Sequence, residues 1–486
     1  MSILKKQRYR FKLAAFFLFT LFLVLGVYGV WSVVHYGSRW FSYSANPRLA
    51  AQKADVVEGS ILDRNGIVLA ETVDGNRVFQ SASADRKAVV HLIGDREGMV
   101  ANSVETFQAA YLYGYQSSLQ DAIYRLLHPG TEKKGNDVRL TIDAKLCTAI
   151  PEYFSSFALT QELNGAAVVL NYQTGEIVAE ISLPSFDPNN TDEATIAELD
   201  HPYWNRAVQG LYPPGSTFKI VTSAAALEKL PDIHSRTFTC TGSLVVSETL
   251  TVKDYHSAIH GSLSLRQAFL RSCNPVYASL ALEMGDAALR STAESFGFNQ
   301  NFLFRDLVLY NSSYPTAGRT RDAIAASGYG QSAITITPMH LCLISAAVAR
   351  GGVMPEPRLL RQVQSASGGN VLSFSTADAM RVCDAATVQE LQSMMQAVVQ
   401  EGGSGSRAAV STLDIRGKTG TAESTLDGQP INYGWFTGYN AQADLPFAVC
   451  VLVEGIPDDE TGGTTAAAIA QKIFTYLKNH PDRVLN

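Results

Sequence analysis

The alternation of apolar and polar positions divides the chain into an apolar start, a mixed stretch and a long ordered remainder. Leu13 to Val34 is apolar and carries no charge. About 20 such residues cross a bilayer as a helix, so this stretch predicts a membrane span. Lys5, Lys6, Arg8, Arg10 and Lys12 crowd its N-terminal side, and a basic flank stays in the cytoplasm. A cleaved leader would have a shorter apolar core and a small-residue cleavage site. The expectation is therefore an uncleaved anchor at 13–34, a cytoplasmic tail at 1–12, and everything after residue 35 outside the cytoplasm.

Between 35 and 137 the pattern is mixed. Ser60-Ile61-Leu62 and Val68-Leu69-Ala70 predict short strands around an Asn65-Gly66 turn. A helical stretch near Leu119 to Leu127 ends at His128-Pro129-Gly130, and Gly130 to Asn136 reads as a polar linker. Beyond 138, apolar runs predict strands at 165–171 and 176–183. Helical periodicity follows at 216–230, 264–285, 337–350 and 386–401. Strands are predicted again at 415–422, 432–440 and 446–454, with a last helix at 465–479. A helical middle between early and late strands suits an α+β domain with one antiparallel sheet.

Composition narrows the field. At 486 residues and 46% hydrophobic, the chain can bury a full core. A net charge of -6 argues against a nucleic-acid partner. The cysteines at 147, 240, 273, 342, 383 and 450 show no close pairing and no metal spacing. Cys273 reads as a small buried hydrophobe. His256 and His260, four apart, lack a third ligand, so neither a metal nor a cofactor is expected.

Three short motifs carry the chemistry: Ser216-Thr217-Phe218-Lys219, Ser272-Cys273-Asn274 and Lys418-Thr419-Gly420-Thr421. A serine hydroxyl needs a base to attack at neutral pH, and residues three apart on a helix share a face, so Lys219 can serve Ser216. Burial and a second cation, Lys418, would lower the Lys219 pKa. Ser272 can accept and donate, which suits a proton relay, and the Asn274 amide can hold a substrate carbonyl and Lys219. Taken alone, Ser-Cys-Asn reads as a helix C-terminus stopped by Pro275. Gly417 and Gly420 in a strand imply another backbone close by, and a peptide laid along that edge would bind by strand addition. Taken alone, that segment is an edge strand with a protective lysine.

In this order and context the motifs resemble those of penicillin-binding proteins. Val138-Arg139-Leu140-Thr141-Ile142-Asp143, Gly165 to Leu170 with Thr174 to Ala179, Asn205-Arg206-Ala207, Gly330-Gln331, Thr337-Pro338 and Gly462-Gly463 extend the resemblance over most of the chain beyond residue 50. Gly59-Ser60-Ile61-Leu62-Asp63-Arg64-Asn65-Gly66 is similar to a block that marks the class B, monofunctional members. Glu58 replaces the arginine usual in that class, and Ser332 stands where a third glycine often follows Gly-Gln.

The resemblance implies a penicillin-binding, serine-transpeptidase fold: an antiparallel sheet flanked by helices, an all-α lobe, a pedestal at 35–137 and a transpeptidase domain at 138–486. It implies a peptidoglycan D,D-transpeptidase working through an acyl-enzyme on Ser216. Lys219 would be the base, Ser272 the relay and Asn274 a positioning group. Lys418, Thr419, Gly420 and Thr421 would bind the donor, with the Ser216 and Thr421 N–H groups as oxyanion hole. Implied partners are peptidoglycan stem peptides, penicillin and other β-lactams, the membrane, and a SEDS-family glycosyltransferase. The alternatives are a D,D-carboxypeptidase and a non-enzymatic sensor or scaffold. The pedestal is too short for the glycosyltransferase of a bifunctional enzyme, and no candidate base for rapid deacylation marks a β-lactamase.

Overall fold

The computed structural model describes residues 3–41, 56–115, 123, 126–128, 130, 133–156, 164–400, 402–426 and 428–485. Most of the helix expected at Leu119 to Leu127 lies outside these residues. Helix Ile3–Phe41 contains the apolar stretch, and Tyr9–Ser32 is long and apolar enough to cross a membrane.

The catalytic half is organised by a five-stranded antiparallel sheet. Its order is Ile415–Leu426, Gln429–Asn440, Phe447–Glu454, Gly165–Asn171 and Ile177–Leu183. The last three strands are buried at every position, so both their faces are covered. Helix Pro338–Ala349 is apolar all round, as a helix enclosed in a core should be. Thr337 caps it by accepting the His340 N–H. It packs on one face of the sheet, while Ala144–Ser155 and Ala466–Asn479 cover the other. Ile415–Leu426 is left at the edge with one neighbour.

A second sheet joins the two halves of the chain. It runs Asn370–Ser373, Leu360–Gln364, Asp137–Leu140, Ile61–Leu62, Val68–Val73, Asn76–Phe79. Asp137–Leu140, at the expected boundary, pairs with Ile61–Leu62 on one side and Leu360–Gln364 on the other. Asp63, fully buried, holds the Asn65-Gly66 turn by accepting the N–H groups of Asn65 and Ile67, each at 2.8 Å. Arg64 reaches Glu176 at 3.3 Å, and Arg358 reaches the same carboxylate at 2.7 Å. Glu58 makes its contacts inside the pedestal: it accepts the Tyr113 hydroxyl at 2.9 Å and lies 3.7 Å from Arg77, which also pairs with Glu105 at 2.7 Å.

Two predicted helices are broken at the motifs. Gly215–Phe218 forms a 3-10 turn before the α-helix Lys219–Lys229. The stretch expected as one helix at 264–285 is Leu265–Leu270 followed by Asn274–Ser295. Ser272 at the break has φ 56, in the left-handed region. Pro275 opens the second helix instead of ending the first, because proline at a first-turn position loses no hydrogen bond. Between Lys219–Lys229 and Leu265–Leu270 the chain forms two small antiparallel strand pairs, Phe238–Cys240 with Gly261–Leu263 and Ser243–Val245 with Thr251–Lys253.

Candidate active site

The three motifs meet in one cleft of about 1220 Å³ between the edge strand and the helical lobe, lined among others by Ser216, Ser272, Asn274, Thr419 and Thr421. The nucleophile turn approaches the strand so closely that side chains are excluded at two points. Gly215 has φ 53, and a Cβ there would stand 2.6 Å from the Thr421 carbonyl oxygen. A Cβ on Gly420 would stand 3.0 Å from the Pro214 carbonyl oxygen. This is the close backbone approach that glycine in the strand implies.

In the 3-10 turn residues i and i+3 eclipse, which puts Lys219 directly against Ser216. Lys219 Nζ lies 3.0 Å from Ser216 Oγ, 2.6 Å from the Ser272 carbonyl oxygen, 3.1 Å from Ser272 Oγ and 2.7 Å from Asn274 Oδ1. The left-handed turn at Ser272 is what aims both its carbonyl and its hydroxyl at Lys219. Lys418 Nζ closes the group, 3.0 Å from Ser272 Oγ and 2.9 Å from the Thr419 carbonyl oxygen. Thr419 Oγ1 pairs with Ser404 Oγ at 2.5 Å, and Thr421 Oγ1 accepts the Gly462 N–H at 3.3 Å.

Both lysines are fully buried. Burial lowers Lys219 to about 7, against a smaller upward pull from Asp254. Lys418 is held well below the ordinary lysine range by burial and by the neighbouring Lys219 charge. An ammonium offers only hydrogens, whereas a neutral amine at this position keeps a lone pair that can accept the Ser216 proton. The arrangement can therefore make a serine nucleophile near neutral pH.

The structure brings together possible metal donors that the spacing of His256 and His260 did not anticipate. Cys240, Asp254, His260 and Cys273 place one donor atom each within 4.8 Å of all the others. His260 Nδ1 is 2.9 Å from Asp254 Oδ2, and Cys240 Sγ is 3.7 Å from each of those atoms. Ligands at zinc–sulfur and zinc–nitrogen bond lengths on a tetrahedron stand about 3.3–3.7 Å apart, which both Cys240 spacings meet, while the Asp254–His260 pair sits at hydrogen-bond distance and would have to open slightly to take a zinc-like cation. His256 takes no part: it stands in a 3-10 turn with φ 51. Sequence spacing missed the site because its donors come from both strand pairs and from the motif turn itself. Asp254 ties the two together, as Oδ1 accepts the Asn274 N–H at 3.4 Å.

Ser332 proves to have φ 75, a conformation glycine adopts without strain, which accounts for the glycine usual there. Among the described residues all six cysteines are free and buried.

Residues 165–475 match the penicillin binding protein transpeptidase domain. The chain is 30% identical over 401 residues to the peptidoglycan D,D-transpeptidase PbpA of Mycolicibacterium smegmatis, covering 77% of this chain and 79% of that protein. A ceftriaxone acyl-enzyme structure of penicillin-binding protein A from M. tuberculosis superposes with a TM-score of 0.77 at 26% identity, covering 87% of this chain and 98% of the other. The D,D-transpeptidase domain of an Eggerthella lenta protein gives 0.73 at 28% identity, over 88% and 99%. With the fold, the cleft and these similarities in agreement, the chain belongs to the penicillin-binding protein transpeptidase family, as a class B member and a serine-type D,D-transpeptidase.

Proposed function

We propose that the protein cross-links peptidoglycan stem peptides through an acyl-enzyme on Ser216. The observation that carries this is Lys219, buried, lowered to about 7 and 3.0 Å from Ser216 Oγ. Ser216 Oγ attacks the carbonyl carbon of the D-Ala-D-Ala bond while Lys219 takes its proton. The N–H groups of Ser216 and Thr421 hold the oxyanion. As the C–N bond breaks, Ser272 passes a proton to the departing D-Ala amine. The acceptor amine then attacks the ester, forms the new amide and releases Ser216. Lys418, Thr419 and Thr421 bind the donor's terminal carboxylate, and Gly420 lets the nucleophile turn approach. Asn274 fixes Lys219 and the donor backbone.

β-Lactams mimic the donor and acylate the same serine. Cys240, Asp254, His260 and Cys273 would hold a zinc ion, which would keep the thiols deprotonated and secure the Ser272–Asn274 turn. Residues 13–34 anchor the chain in the membrane with 1–12 in the cytoplasm. The pedestal at 35–137 faces a SEDS-family glycosyltransferase, and 138–486 carries the transfer chemistry outside.

The test is acylation of the full chain by a fluorescent penicillin, with mass mapping of the labelled peptide. The expected result is a slow-decaying adduct on Ser216 that is absent in Ser216→Ala. An adduct on another residue, or none from folded protein, overturns the reading.

A further inference from the structure

The turn that carries Ser216 is held from its N-terminal side by a buried polar chain that the chemistry above leaves unused. Arg206, fully buried, donates from Nε to Glu454 Oε1 at 3.0 Å and from Nη2 to Asp200 Oδ2 at 2.7 Å. Glu454 Oε1 also accepts the Tyr212 hydroxyl at 2.6 Å. Tyr212 exchanges both backbone hydrogen bonds with Ile336, at 3.0 and 2.8 Å. Its ring packs edge-on against Tyr433 and Trp435, and Trp435 Nε1 donates to the Pro213 carbonyl at 3.1 Å. One carboxylate oxygen thus ties the end of a central strand to the residue from which Pro213-Pro214-Gly215-Ser216 departs.

Burying this much charge is not the cheapest way to fill a core, since apolar packing of similar volume is often as stable. What charged hydrogen bonds add is direction. The Glu454 bond fixes the position of the Tyr212 hydroxyl, and the two prolines that follow have a fixed φ. A displacement of Tyr212 is therefore passed along the turn to Ser216 with little to absorb it.

We propose that Tyr212, Glu454 and Arg206 are positioning residues for acyl transfer, orienting the Pro213–Ser216 turn without touching substrate. The proposal rests on Ser216 being the nucleophile. It is tested on the full-length protein by rapid-mixing kinetics with a fluorescent penicillin, which separate the initial binding constant from the acylation rate constant, together with thermal melting and mapping of the adduct.

Tyr212→Phe removes the hydroxyl and keeps the ring. Its acylation rate constant is expected to fall about tenfold, while initial binding and melting temperature stay close to wild type. Glu454→Gln retains an oxygen acceptor for Tyr212 and is expected to restore most of the rate that Glu454→Leu loses. Combining Tyr212→Phe with Glu454→Leu is expected to cost no more than the worse single change, because both break one link. A wild-type acylation rate constant in Tyr212→Phe, or a loss confined to binding or to melting, overturns the positioning role even if Glu454→Leu fails to fold. A wild-type adduct away from Ser216 overturns the nucleophile reading and this proposal together.

Discussion

Two regions of this molecule treat their buried cations in opposite ways. In and beside the pedestal the buried arginines have carboxylates: Arg64 and Arg358 share Glu176 at the joint with the catalytic domain, and Arg77 pairs with Glu105 inside the pedestal. In the cleft, Lys219 and Lys418 are as deeply buried, yet among the described residues neither has a carboxylate within 4.0 Å. Their partners are neutral oxygens of Ser216, Ser272, Asn274 and Thr419. Pairing keeps the charge and builds framework. Withholding the partner makes the charge costly and leaves a neutral amine ready to take a proton. That contrast separates structural ionisable groups from chemical ones here more sharply than burial does.

The contrast can be broken most severely at Lys219. Lys219→Ala is expected to slow penicillin acylation by about 10²–10⁴-fold, the range for loss of a general base, while the melting temperature holds or rises. Rapid kinetics and calorimetry on one preparation would check both. At the joint the pattern should reverse. Glu176→Gln leaves two buried guanidinium groups without their anion and is expected to cost about 3–5 kcal/mol of stability in denaturant titration. Its folded fraction should still acylate at the wild-type rate.

A third cluster, beside the cleft, is tested by its metal content. Elemental analysis of the purified chain should find zinc, and Cys240→Ala should lose it. Chelation should lower stability by about 2–3 kcal/mol, the linkage expected for a ligand at 100 times its dissociation constant. The mildest change is Glu58→Gln. The amide still accepts the Tyr113 hydroxyl, and a neighbour that raises the Glu105 pKa is removed. Stability at neutral pH should stay within about 1 kcal/mol of wild type by melting.

Much of this site is legible in the sequence, because its chemistry is written in short contiguous motifs. Ser216 with Lys219 needs only a helical turn, and the glycines of the edge strand announced a close backbone. The strands 165–171 and 446–454 were equally plain, since their apolar runs reflect burial on both faces. Long-range assembly was hidden. Nothing local tells that Leu360–Gln364 returns to pair with Asp137–Leu140, so the second sheet crosses the boundary expected at 137/138. Pro275 looked like a stop because proline's tolerance at a helix start depends on where the helix begins. The left-handed φ of Ser272 was equally unreadable, since glycine or asparagine usually signals that conformation. The metal-capable cluster stayed invisible for the same reason: Cys240 and Cys273 meet only after two strand pairs fold between them.

The measurement that bears most directly on the central claim is the pH dependence of the acylation rate constant of the full chain, followed from about pH 5 to 10. The base is the neutral form of Lys219, so lowering pH protonates it and removes activity, and raising pH restores it. The rate is expected to climb through a midpoint of about 7 and then level. A rate still climbing without levelling at about pH 10, as for a base in the ordinary lysine range of about 10.4, would contradict this, since Lys219 would then behave as an exposed ammonium and the uncompensated burial that distinguishes the cleft would have no chemical consequence.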